Sequence, residues 1–164
     1  MKTIYEVGGV LNKGFVGQIS YTVCLDKDYE EMDIAFSFDK QHYSTITNEL
    51  VNEIKEACNG DYATELATNE TITKAISEMK TEIHTIASMN DVFIGGVHKQ
   101  LTKRHMLYSP SQTSDGCIPQ KCINGVIKIT LVVFNVIIDD THYSVTLSVN
   151  ESNRMTGGPL CTND

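Results

Sequence analysis

The chain has no apolar run of membrane-spanning length. Its longest, Ile129 to Ile138, is broken by Asn135 and stops at Asp139-Asp140. That is roughly half of what a spanning helix requires, so it reads as a buried strand and no membrane partner is expected. The first residues offer no signal-peptide core either, because Glu6, Gly8 and Gly9 interrupt them.

An even set of cysteines is also lacking. The five present, Cys24, Cys58, Cys117, Cys122 and Cys161, cannot all pair within one chain. Cys24 and Cys58 fall on expected core faces, so all five thiols are expected to be reduced, in a cytoplasmic setting.

Positive charge is scarce: thirteen Lys and Arg against twenty-one Asp and Glu give a net charge of -8. Phosphate backbones and anionic membranes repel such a chain unless its cations are segregated, which sets nucleic acid aside as a partner. The shortage is uneven. Residues 26–91 hold fifteen acids and five bases, whereas residues 92–128 hold five bases and one acid.

What is present suffices for a core. With 164 residues and 41% hydrophobic content, the chain fits one soluble domain, expected over 1–150 with a flexible tail over 151–164. Ile19, Tyr21, Val23 and Leu25 alternate with polar residues, as do Met32, Ile34, Phe36 and Phe38. Together with a strand near residues 3–11 these predict three antiparallel strands joined as hairpins. Ile46, Leu50, Ile54 and Cys58 then recur at helical spacing, with Asn59-Gly60 as a stop. A second helix is expected between about Asn69 and Met89, on a stripe from Ile72 through Ile76 and Met79 to Ile86, capped by Thr68 or Asn69. Residues 126–138 and 143–150 predict a final hairpin with Phe134 and Val136 buried. The order βββ-αα-ββ gives an α+β fold: an antiparallel sheet of about five or six strands with two antiparallel helices on one face.

Residues 98–125 have no clear period, and long loops of that kind often carry function. They hold the only basic cluster, His98, Lys99, Lys103, Arg104 and His105, which is the candidate ligand-binding set. Cys117 and Cys122, with His98 and His105, would supply the sulfur and imidazole donors of a structural zinc site, but the spacing is poor and no metal ligand is assigned. A nucleophilic Cys117 needs a neighbouring base or a positive environment, and no local signature shows one. Gly95-Gly96 next to His98-Lys99 lacks the spacing of a phosphate loop, so a turn accounts for the glycines. Asp139-Asp140 reads as a turn, and His84 as a flank of the second helix.

With no constellation of acid, base, nucleophile or metal ligands, no cofactor is expected and the function stays open. The preferred reading is a non-catalytic binding or protein-interaction domain. An enzyme or small-molecule binder with a site at 98–125, or a zinc protein using Cys117 and Cys122, is the alternative. The strand at 126–138 is apolar on both faces, which leaves one face to be covered by loop 98–125 of the same chain, a small apolar ligand or a second copy, a homodimer being the preferred expectation and a protein partner the alternative to it.

Overall fold

The computed structural model describes residues 1–58 and 68–151. Its elements run β1 (Lys2–Leu11), β2 (Gly17–Cys24), β3 (Glu31–Phe38), α1 (Asn48–Cys58), α2 (Asn69–Glu78), β4 (Glu82–Met89), β5 (Val92–Val97), β6 (Lys103–Tyr108), β7 (Val126–Asn135) and β8 (Thr141–Asn150). Every pairing is antiparallel, in two four-stranded sheets ordered β1-β8-β3-β6 and β2-β7-β4-β5. The class is α+β as the periodicity predicts, but with eight strands in two sheets rather than five or six in one. Successive strands change sheet at every connection except β4 to β5, which is the connectivity of a jelly roll.

Apart from β5, whose last four residues are all buried, the strands turn alternate side chains inward, and the two inner faces meet. Ile34 and Phe36 of β3 and Val145 and Leu147 of β8 form one core with Ile83 of β4 and Ile127, Ile129 and Leu131 of β7. The same alternation would suit a hairpin, and this corrects three expected pairings. β7 and β8 lie in different sheets, as do β2 and β3, and β1 and β2. A turn reverses the chain without deciding whether the next strand pairs beside the last or crosses above it. Val136 is buried as expected, whereas Phe134 lies on the outer face and is 53% exposed.

The second helix is shorter than its stripe. α2 ends at Glu78, where Met79 turns to ψ 143°, and Glu82–Met89 is a strand. Ile83 and Ile86 extend the helical spacing of Ile76 and Met79, which hides an alternation in which Ile83, Thr85 and Ala87 are buried. Asn90 and Asp91, with φ of 50° and 65°, then join β4 to β5. Positive φ at both central residues matches the twist of a two-residue hairpin. Thr68 caps α2 by accepting from the Thr71 amide at 3.2 Å.

The helices bury Val51, Ile72 and Ile76 against each other in a cluster separate from the sandwich core. The second sheet, rather than the helices, covers the first. No helix among the described residues is long and apolar enough to cross a membrane. The expected Asn59-Gly60 helix stop and the tail beyond Glu151 lie outside the described residues.

Two cysteine expectations also change. Cys24 is exposed on the outer side of β2 instead of lying in the core, and Cys122 is disulfide-bonded instead of reduced. An odd count forbids pairing of all five thiols and leaves room for a single bond.

Candidate functional site

β5 and β6 are edge strands of opposite sheets, so the sandwich is open between them. The chain after β6 fills that opening by bonding to both edges. On one side the Gly96 amide donates to Gly116 O at 3.0 Å and the Ile118 amide to Ile94 O at 2.8 Å. On the other the Ser114 amide donates to Leu107 O at 3.0 Å, and the Leu107 amide returns to Ser114 Oγ at 3.0 Å. The stretch expected to be one long loop therefore contains strand β6 and a strap across the open edge.

Glycine makes the strap possible. Gly116 has φ of 80°, and a Cβ there would lie 2.5 Å from Gly96 O. A Cβ on Gly95 would meet the Cys117 backbone at 2.9 Å and the Tyr108 hydroxyl at 2.9 Å. These glycines serve close backbone approach rather than the expected turn.

Alternation along β6 sorts the basic cluster. Lys103 and His105 point to solvent, while Arg104 turns inward with Met106 and Tyr108. Arg104 stands opposite Phe36 in the register, and its guanidinium lies 4.9 Å from the Phe36 ring centre and 5.9 Å from that of Phe38. Nε donates to Leu101 O at 2.8 Å and Nη1 to Val97 O at 3.5 Å, which ties both ends of the β5–β6 connection to one side chain. Arg104 is only 5% exposed. Burial pulls its pKa down to about 10, against a smaller opposing pull from Glu82, so it remains a cation at neutral pH.

No carboxylate pairs with that cation among the described residues. Arg104 is also one of the residues lining a cleft of about 390 Å³, whose other ionisable lining residues are Lys99, Lys103, His105 and Asp115. Lys99 meets Asp115 at 3.0 Å, with both side chains largely exposed. His105 Nδ1 lies 2.8 Å from Asp33. Val97, Leu101, Thr113 and Ser114 complete the lining with two apolar side chains and two hydroxyls.

Four of the five residues singled out in the sequence thus share one cleft. His98 does not join them: it lines an adjoining hollow with Gly96, Lys99 and Asp115 and turns toward His84. Sequence reasoning missed Thr113, Ser114 and Asp115. Their hydroxyls and carboxylate follow β6 by only a few residues, but what places them is the return of the strap along its edges.

The zinc set expected from the cysteines is not assembled. Cys122 is in a disulfide, Cys117 is a free thiol facing Tyr108, and His98 and His105 engage His84 and Asp33. Burial also pushes the Cys117 thiol up, away from the thiolate a nucleophile requires, and the Tyr108 hydroxyl only partly offsets it.

A family model described as a family of unknown function (DUF6669) matches residues 1–154. No curated protein matches the chain. No solved structure does either.

Proposed function

For a chain that belongs to this family of unknown function, we propose the role of a non-catalytic binding module whose cleft at the β5–β6 edge takes an oxyanion group, a carboxylate or phosphate, of a small molecule. The observation that carries this reading is Arg104, a nearly buried cation with no carboxylate partner among the described residues, in the strand that lines a cleft. Burying an ion is expensive unless something compensates it. The two phenylalanine faces and two carbonyls hold the guanidinium in place without neutralising it. An anion in the cleft supplies the missing charge, paired directly by Lys103 and Lys99 on the outer side of β6 and drawn by the field of Arg104 on the inner side.

The rest of the lining suits the same ligand. Asp115 already holds Lys99 from an exposed position, as a carboxylate that an incoming anion displaces. Ser114 and Thr113 add hydroxyls, and Leu101 and Val97 give the non-ionic part of a small molecule an apolar contact.

Calorimetric titration with pyrophosphate tests the reading. One saturable site per chain is expected, weaker at higher ionic strength. Lys103→Glu, at an exposed position that tolerates change, is expected to weaken binding at least about tenfold, and Arg104→Gln further. No saturation at millimolar pyrophosphate, or binding indifferent to Lys103→Glu, overturns it.

A further inference from the structure

On the outer face of the other sheet, His84 of β4 and His98 just beyond β5 are cross-strand neighbours, since Thr85 pairs with Val97. Their Nδ1 atoms lie 3.0 Å apart, with the rings edge to face at 4.9 Å between centres. His84 Nε2 lies 2.8 Å from Glu82 Oε1. Phe134 of β7 packs against the His84 ring at 4.6 Å, and His98 is exposed.

Glu82 fixes the tautomer of His84. Its carboxylate accepts, so the His84 proton sits on Nε2 and the lone pair on Nδ1 faces His98. Without an ion, His98 Nδ1 donates a proton into that lone pair. When His98 carries its proton on Nε2 instead, both Nδ1 lone pairs are free 3.0 Å apart, and a metal ion set to the side of the line between them can accept both. We propose that His84 and His98, backed by Glu82, form a two-imidazole site for a late divalent transition-metal ion, Ni²⁺ or Cu²⁺.

The geometry favours that class of ion. Two nitrogens 3.0 Å apart, each about 2.1 Å from one ion, subtend roughly 90° there, narrower than tetrahedral. Right-angled nitrogen donors suit the tetragonal or octahedral preference of Cu²⁺ and Ni²⁺, and imidazole is a favoured ligand of both. A carboxylate on the far nitrogen of a ligating histidine is the usual support that orients the ring and raises its basicity. Glu82 already occupies that place. Among the described residues no group of three His, Cys, Asp or Glu side chains is placed to hold an ion. Water therefore fills the remaining positions, and the exposure of His98 leaves room for it.

The proposal does not rest on the anion reading, and its test uses the metal alone. Calorimetric titration of the full chain with Ni²⁺ at pH 7.5 is expected to show one ion per chain at micromolar affinity. His98→Gln and His84→Gln should each weaken it at least about tenfold, Glu82→Gln by about tenfold, and His142→Gln should leave it unchanged. Paramagnetic broadening in the amide spectrum should centre on His84, His98 and Phe134. Should His84→Gln fail to fold by circular dichroism, the exposed His98→Gln carries the result. Affinity that survives His98→Gln, broadening centred elsewhere, or no binding up to millimolar Ni²⁺ overturns the proposal.

Discussion

The sandwich has two open edges, and it closes them by different means. Between β1 and β2 side chains do the work: the Tyr5 and Tyr21 rings meet at a tilt with their centres 6.3 Å apart, and the Tyr21 hydroxyl meets that of Tyr143 from β8 at 2.6 Å. Gly9 leaves the space for the Tyr143 ring, since a Cβ there would lie 2.5 Å from its hydroxyl. Between β5 and β6 a length of backbone is laid across the gap, bonded to both strands. Aromatic closure leaves no charge behind, and its polar atoms satisfy each other. Backbone closure leaves a cleft at one end, with Arg104 among its lining residues and no carboxylate paired to it among the described residues. Both means protect an edge from pairing with another chain, but only the second leaves a binding surface.

Breaking the strap should have the largest effect. Gly116→Val sets a branched side chain at φ 80° and against Gly96 O. The expected loss is about 3 kcal/mol in urea unfolding, combining backbone strain with overpacking. A loss below about 1 kcal/mol would mean that the strap contributes little to closing that edge.

Thiol reactivity sharpens the contrast next. Cys24 is exposed, while Cys117 is carried by the strap itself, half-buried against Tyr108 with its thiol pushed up by burial. Alkylation of the native protein at pH 7.5 should modify Cys117 on the order of a hundredfold more slowly than Cys24, because the strap must open first. In Gly116→Val the two rates should converge.

The hydroxyls at the two edges give the smaller effects. Tyr21→Phe removes the bond to Tyr143 and leaves a half-buried partner hydroxyl, so a loss of about 1 kcal/mol is expected. Tyr108→Phe at the other edge removes a buried hydroxyl whose neighbour is the Cys117 thiol, a weak partner that leaves it without a well-formed hydrogen bond among the described residues. Its expected effect is within about 0.5 kcal/mol of zero. Equal losses in the two variants would erase the distinction drawn between the edges.

Much of this was legible along the chain and some of it was not, for reasons that particular residues make plain. Alternation located β2, β3 and β8 because each buries one face against a core. It was silent on which strands pair, since sheet assignment depends on contacts far apart in sequence. β4 was concealed by Ile83 and Ile86, which continue a helical stripe by coincidence of spacing. The Asn90-Asp91 pair was the signal that could have exposed the hairpin. The basic cluster stood out by charge alone. That Arg104 faces inward while Lys103 and His105 do not follows from the alternation of Arg104, Met106 and Tyr108, a period masked by reading 98–125 as loop. His84 next to His98 was out of reach while His84 was placed on a helix.

The central claim, that the β5–β6 edge holds an oxyanion, is tested most directly by amide chemical shifts of isotopically labelled protein titrated with pyrophosphate. The account predicts saturable shifts concentrated at Lys99, Lys103, Arg104 and Ser114, with the Tyr5, Tyr21 and Tyr143 edge unmoved. Shifts centred instead on lysines away from the cleft, such as Lys2, Lys27 or Lys40, or no saturable shift at all, would contradict it.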